Sequence, residues 1–410
     1  MIDYYEWLQS QVIPAWDTPL INDLYCMIFH GALRQLCVRW LGTELSEIHN
    51  DLICGEAGMI SLEPVRRLRE LARISREDRS LARALRHDSL ACINQRIERN
   101  SAFRREYREY IERFGDRCLD ELKLESQTLA DDPLPMLRAV GQLANAGEAP
   151  TGGVEKLRAD AEQSLDAALG TSSWRRRIFN VALRLARARI RDRENLRFER
   201  TRVYGRVRAV FMEIGFRLKD LDVLERADDI FYLDVQEITG LIRGTGSGAQ
   251  MKPLIHSRRN EFEGYASGAE PPRRFITCGP AQLESSMRTI ESDSPDESEN
   301  VRKGQACSPG VVRGPVRVVT DPRNATIKSG DILVAERTDP GWVTIFPLVK
   351  GVIMERGSLL SHSAIVAREL GLPAVVGVED ACRWLQDGDW VELNGTSGHI
   401  RRLDSTECAA

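Results

Sequence analysis

Apolar and polar positions divide this chain into two kinds of sequence. Up to about Arg243 the apolar residues recur three or four apart. Val65, Leu68, Leu71 and Ile74 share one face, with Arg66, Arg67, Arg69 and Glu70 between them. That spacing predicts an amphipathic helix with a buried stripe and a solvated charged face. Leu81, Leu85, Leu90 and Ile93 continue the pattern, and a long arginine-dense helix is predicted from about Ser173 to Arg217. Short pieces interrupt the helical ground. Arg113–Arg117, followed by Glu121–Glu125, reads as a glycine turn, and Asp131-Asp132-Pro133 as a break before a new helix. Asp228–Leu233 reads as a short strand or turn entering a helix.

After about Gly304 the pattern changes to short β-branched runs. Val311, Val312, Val316, Val318 and Val319 supply strand residues, and Lys328–Asp331 turns into the apolar run Ile332–Ala335. Asp387-Gly388-Asp389 leads into Trp390–Leu393, and Asn394-Gly395 turns toward His399–Leu403. Between the two regions, Met287–Asn300 is rich in Ser, Asp and Glu and poor in apolar residues, the composition of a solvated tether.

One stretch concentrates the candidate chemistry. Gly351–Met354 predicts a buried strand, Gly357 and Ser358 a tight turn, and Ser361 the N-cap of a helix starting at about His362. Gly371 and Pro373 end that helix, and Ala374–Val376 begins another strand. An imidazole at a helix N-terminus meets free amide groups and the positive end of the dipole, a setting that favours an anion such as a phosphoryl group. Neutral imidazole has a pKa of about 6.5 and is a nucleophile near neutrality. Elsewhere, Arg193 and Arg197 lie one helical turn apart, so both guanidinium groups could meet one anion; equally, they could be surface arginines of a charged helix.

The stretch Glu355–Val378 resembles the phosphohistidine signature of the phosphoenolpyruvate-utilising enzymes: Ser361-His362, Ala364–Gly371 and Pro373–Gly377 match its pattern. Ser358 departs from it where the family usually has a second glycine, and Leu360 where the dikinases carry a regulated threonine. The resemblance extends, more weakly, over the helical region, whose likeness is to the acceptor-binding segment of rifampicin phosphotransferase-like members. It implies a multidomain α plus α/β protein: a large helical N-terminal domain, then a small β/β/α swivelling phosphohistidine domain. The expected boundaries are a helical acceptor-binding domain at 1–283, a flexible acidic linker at 284–303, the swivelling domain at 304–404 and a tail at 405–410. It further implies His362 as the phosphorylated residue. Ser361, Arg368 and Thr338 are the expected phosphate-positioning residues, with Thr344 an alternative to Thr338, and Arg193, Arg197 and Arg117 the expected substrate-binding ones.

Composition narrows the field. A net charge of −4 gives no case for nucleic-acid binding. The N-terminus lacks a basic start followed by an apolar core, and no apolar run is long enough to span a membrane. The 9 cysteines show no metal spacing, so a cytoplasmic protein with reduced thiols is expected. No GxxxxGK[ST] loop is found, and the chain begins close to where the family's ATP-grasp domain would end. The resemblance therefore implies a split ATP-dependent phosphotransferase. A partner ATP-grasp subunit would supply ATP and Mg²⁺, this chain binding no cofactor itself, and a small-molecule acceptor would take the phosphate. Three rivals stay open: an ATP-dependent condensation using the same histidine, a phosphocarrier or regulatory role, and a non-enzymatic binding remnant that is not phosphorylated.

Overall fold

The computed structural model describes residues 1–403 except 13–14, 16, 43–47, 57, 119, 121, 147–152, 171, 247–249, 269–274, 278–286, 290–299 and 322–326. Helices α1 (Ile2–Val12), α2 (Asp17–Leu41) and α3 (Ile48–Leu52) open the chain. They are followed by α4 (Glu63–Glu77), α5 (Arg79–His87), α6 (Leu90–Arg99) and α7 (Ser101–Phe114). Then come α8 (Leu134–Ala146), α9 (Gly153–Leu169) and the long α10 (Ser173–Asp220).

The apolar periodicity from Val65 to Ile93 is divided among three helices, because polar side chains cap each break. Asp78 accepts from the amides of Ser80 and Leu81 at 3.0 and 3.1 Å and starts α5. Ser89 caps α6, accepting from Cys92 N at 3.5 Å. A capping carboxylate satisfies otherwise orphaned amides and favours the positive helix end.

The chain forms two compact units, one of residues 1–5 and 208–299, the other of residues 6–207 and 300–410. In the first, a 3₁₀ turn (Ala227–Tyr232) leads to α11 (Val235–Arg243) and α12 (Met251–Ser267), and strands β1 (Phe275–Thr277) and β2 (Met287–Thr289) pair antiparallel. The strand-or-turn expectation at Asp228–Leu233 resolves to that turn. Gly215 lets the end of α10 lie against it, since an added Cβ would meet Ala227 O at 2.1 Å.

In the second unit the strands are β3 (Val301–Lys303), β4 (Gln305–Ser308), β5 (Val311–Val318), β6 (Ile332–Ala335), β7 (Gly351–Met354), β8 (Ala374–Val376), β9 (Trp390–Asn394) and β10 (His399–Arg402). Helix α13 (His362–Glu369) follows β7, and α14 (Ala381–Trp384) follows β8. The sheet order is β3-β10-β9-β5-β6-β7-β8-β4, with β5 to β8 parallel and the outer pairings antiparallel.

Alternation along the central strands explains how this sheet is covered. Ile332, Val334, Ile353 and Val375 point into a core shared with Leu393 and Ile400. Their neighbours Leu333, Ala335, Val352, Met354, Ala374 and Val376 point the other way, into a core that also contains Leu68, Leu85, Met136 and Phe198 of the helices. A sheet apolar on both faces must be covered on both. The helical residues supply the second cover.

Two domain expectations are corrected here. Residues 1–283 are not one body, because 6–207 share a core with the C-terminal sheet. The expected linker 284–303 contains the paired strand Met287–Thr289, and it ends in β3, which pairs with β10. Backbone pairing, not composition, fixes those segments; most of the acidic run and the 405–410 tail lie outside the described residues.

The seam between helices and sheet carries a titratable clamp. Glu369, the last residue of α13, accepts from Gly55 N at 3.0 and 3.1 Å through its two oxygens. Burial raises its pKa from 4.5 to about 7, against the lowering effects of the Gly55 and Glu56 amides and Arg368; the Glu56 carboxylate raises it. Freed of the seam, the group would ionise near 4.5, so the docked state holds a proton that the open state does not between that value and about 7. Docking should therefore weaken as pH rises across that window. Hydrogen exchange of residues 53–56 should speed up with rising pH beyond the intrinsic base catalysis, and Glu369→Gln should flatten the excess. An unchanged excess in the variant would exclude Glu369 as its source.

Candidate functional site

The strand–turn–helix around His362 forms as its sequence dictates. After β7 the backbone turns through Gly357 at φ +143°, a conformation open to glycine, with Ser361 Oγ 3.3 Å from where a Cβ would stand. Ser361 is the N-cap of α13, its hydroxyl accepting from Ala364 N at 3.4 Å. His362 is the first residue of the helix, only 4% exposed, because the docked helices cover it.

What covers it is Glu194. The His362 Nδ1 to Glu194 Oε2 distance is 2.5 Å, and both side chains are buried. Burial lowers the His362 pKa, Arg197 and Arg117 lower it further, and Glu194 only partly opposes them. Burial alone would raise Glu194, but the hydrogen bond from His362 and the charges of Arg197 and Arg193 oppose it and hold the carboxyl below its ordinary value. The pair is thus a neutral imidazole donating Nδ1–H to a carboxylate. The second ring nitrogen, Nε2, keeps its lone pair, and among the described residues it has no hydrogen-bond partner.

The sequence around Arg193 does not by itself single out Glu194. A signal was present: α10 buries Leu183, Ile190 and Phe198, and Glu194 sits at helical spacing midway between the last two. A carboxylate in an apolar stripe is a candidate for a specific partner.

The other expected site residues divide into those around the imidazole and those that clamp the seam. Arg117 is 3% exposed, stacks over the Phe198 ring at 4.6 Å and acts electrostatically on His362. Its segment follows α7 through Gly115, where a Cβ would meet Ile111 O at 2.3 Å. Arg197 also acts on both members of the pair and lies 3.8 Å from Asp339 Oδ1. Thr338 is buried, and its Oγ1 has no hydrogen-bond partner among the described residues. By contrast, Thr344 Oγ1 donates to Gly341 O at 3.2 Å, which singles out Thr338 as the hydroxyl still able to bond.

Two of the arginines are also held by groups outside the pair. Arg193 acts with Arg197 on the Glu194 carboxylate, while its Nε donates to Asp23 Oδ1 at 3.0 Å and its Nη1 to Leu360 O, in the turn before His362. Arg368 does not face the imidazole. Its guanidinium donates to Cys307 O at 3.0 Å, Asn50 Oδ1 at 3.4 Å and Leu359 O at 3.3 Å. Backbone carbonyls, fixed by the fold, claim both side chains.

Beside the pair, α2 and α10 enclose a cleft of about 500 Å³ lined by Ile21, Tyr25, Leu196, Asn22, Asn195 and Arg189 among others. Leu196 also lines a smaller cavity shared with Arg193, Arg197 and Arg200. Among the described residues no group of three or more His, Cys, Asp or Glu could hold a metal ion, and no helix is long and apolar enough to cross a membrane.

Residues 327–398, which include His362, match the mobile domain of the PEP-utilising enzymes, and residues 22–194, which end on Glu194, match the rifampicin phosphotransferase fourth domain. The chain belongs to the phosphoenolpyruvate-utilising enzyme family. Within that family its likeness is to the rifampicin phosphotransferases. The protein of that name from Streptomyces sviceus is 30% identical over 304 residues, covering 72% of this chain and 34% of the relative. The one from Bacillus cereus is 34% identical over 206 residues, covering 49% and 23%. An uncharacterised protein of Mycobacterium tuberculosis is 29% identical over 401 residues, covering 97% and 41%. The chain spans less than half the length of each of these relatives.

The tautomer assignment has a direct readout. Nitrogen-15 spectra of the His362 ring should show a protonated Nδ1 and a bare Nε2 that persist below pH 6.5. Glu194→Gln should lower the His362 pKa further, since the carboxylate is what raises it. A ring that protonates at its ordinary pKa, or a bare Nδ1, would overturn the assignment.

Proposed function

We propose that this chain is the phosphohistidine and acceptor-binding part of an ATP-dependent phosphotransferase. A single observation carries the reading: with Nδ1–H bonded to Glu194, the docked imidazole keeps Nε2 free to carry a phosphoryl group. The domain matches and the relatives' name support phosphoryl transfer as the reaction class.

On this reading Nε2 attacks the β-phosphorus of ATP, bound on an ATP-grasp subunit with Mg²⁺. An N–P bond forms as the bond to the AMP oxygen breaks, and water takes the γ-phosphate. When the phosphorylated ring returns to the docked position its positive charge is balanced by Glu194, and Arg117, Arg197 and the Thr338 hydroxyl would hold phosphate oxygens during delivery. An acceptor hydroxyl then attacks phosphorus, the N–P bond breaks, and the acceptor's proton leaves to solvent. The sum is ATP, acceptor and water giving AMP, phosphate and the phosphate ester.

The burial of His362 supports a swivel, since a residue 4% exposed cannot reach another subunit's nucleotide without leaving Glu194. The docked arrangement is the one suited to delivery. The cleft between α2 and α10 joins apolar Ile21 and Leu196 to amide and hydroxyl groups and to Arg189, Asp192 and Glu199, a lining that suits a polar, hydroxylated small molecule as the acceptor.

The test is transfer of β-labelled phosphate from ATP to the full chain, with and without a candidate ATP-grasp protein. Acid-labile, alkali-stable label is expected only with that protein, and His362→Ala should abolish it. Label retained by the alanine variant would overturn the proposal. Glu194→Gln should slow delivery from the phosphorylated chain to an acceptor by about 10²–10⁴-fold, the usual effect of removing a group that sets tautomer or charge, and should affect loading from ATP much less.

A further inference from the structure

Helix α2 carries apolar residues on all its sides, and a helix of that kind is ordinarily covered all round. Its inner side is covered: Cys26, Leu33 and Cys37 are buried in the helical core. On its outer side Leu20, Leu24, Met27 and Val38 remain 70%, 58%, 65% and 44% exposed. Ile28 beside them is half-exposed, and Gly31 and Ala32 are exposed as well. Positions 20, 24, 27, 31, 34 and 38 follow one another at alternating steps of four and three residues. That is the spacing of a single seam against another helix. None of these residues lines the cleft beside Glu194, which takes Ile21, Asn22 and Tyr25 from the next face of α2.

Gly31 is the informative residue. A glycine in the middle of a long helix weakens it, and its usual justification is a neighbour so close that a Cβ would be in the way. Among the described residues nothing supplies that neighbour, because a Cβ at Gly31 would meet no atom within 4 Å. The five large side chains around it expose roughly 500 Å² of apolar surface, near the upper end for a single patch on a monomer. An interface between stable partners buries about 800 Å² on each. The stripe would supply most of that as an apolar core, with Asp23, Arg34 and Gln35 as its polar rim.

The order of residues says which partner fits. The series is symmetric about position 29, so a second α2 running antiparallel meets it in register. Leu20 of one copy then lies against Val38 of the other, Leu24 against the stem of Arg34, and Met27 against Gly31. Asp23 and Arg34 sit on the same flank of the stripe, and a two-fold axis brings like flanks together. Asp23, 47% exposed beside its bond to Arg193, would thus face Arg34 of the other copy, twice over. A parallel pair would instead set Gly31 on Gly31 and Arg34 on Arg34, leaving a gap and a repulsion.

We infer that α2 is a dimer seam: two copies of this chain pack antiparallel along Leu20, Leu24, Met27, Gly31, Arg34 and Val38. Met27 of each copy fills the space over Gly31 of the other. The same helix gives Ile21, Asn22 and Tyr25 to the cleft, and its Asp23 holds Arg193, so dimerisation fixes one wall of that cleft. The role of the cleft rests on the phosphotransfer reading; the dimer does not.

Sedimentation equilibrium of the full chain, without ATP or any other protein, tests the seam. A reversible dimer of twice the 46.2 kDa chain mass is expected. Leu24→Glu should weaken self-association about a hundredfold or more, because it puts a charge into an apolar seam. Gly31→Leu should weaken it too, since the new side chain takes the space of Met27. The same change should leave the isolated monomer at least as stable to heat, which separates a lost seam from a lost fold. Cross-linking reads the direction, with the unsubstituted chain as control. A Leu20→Cys chain mixed with a Val38→Cys chain should form a mixed disulfide. Leu20→Cys alone should not, its two thiols standing about 27 Å apart along the antiparallel pair. Four outcomes would overturn the inference: a monomer at every concentration up to about 100 μM, self-association unchanged in both Leu24→Glu and Gly31→Leu, Leu20→Cys cross-linked to itself, or a face engaged only by an ATP-grasp protein. None of them bears on whether His362 takes phosphate.

Discussion

The pairing of His362 with Glu194 is the contact on which the other features of the site depend. It joins a helix start in the sheet domain to the middle of a long helix from the other side of the seam. Because both groups are buried, neither can exchange its partner for water. Removing one member of a buried pair typically costs about 3–5 kcal/mol, since the survivor is left charged or unbonded. The bond also decides which ring nitrogen carries hydrogen. Geometry, protonation and docking are therefore one property here.

The polar contacts around it set register more than they supply energy. Arg193 reaches across to Leu360 O, Arg368 gathers Cys307 O, Leu359 O and Asn50, and Glu369 takes the Gly55 amide. Each lands on backbone or a short side chain, so each fixes one position along the seam. Their titrations oppose one another. Burial keeps His362 neutral, which disfavours the docked state as pH falls below its free pKa, whereas buried Glu369 disfavours it as pH rises toward about 7. Between about 4.5 and 6.5 the two effects therefore offset one another.

Much of this was legible in the residues. Local signals set the strand Gly351–Met354, the turn at Gly357, the cap at Ser361 and the helix at His362, and the structure has each where the sequence puts it. Long α10 was legible too, from Ser173 onward. What the sequence did not reveal was pairing at a distance. Glu194 and His362 are 168 residues apart, and nothing local to either names the other. The same limit hid the commitments of Arg193 and Arg368, which depend on carbonyls brought in by other segments. It also hid the strand at Met287–Thr289, whose composition is that of a tether and whose order comes from its partner β1.

The continuous core across the seam has a thermal consequence. Ile365 and Leu360, on the segment that bears His362, pack with Leu33, Leu52 and Phe179 of the helices, and the sheet's second face packs with Leu68 and Met136. Parting the two sides would bring that apolar surface into water, with a positive change in heat capacity. The attraction between them consequently fades on cooling, while the hydrogen-bonded clamps do not fade in the same way. The apolar part of the seam should therefore be weaker in the cold than at moderate warmth, through the hydration of a few leucines and isoleucines.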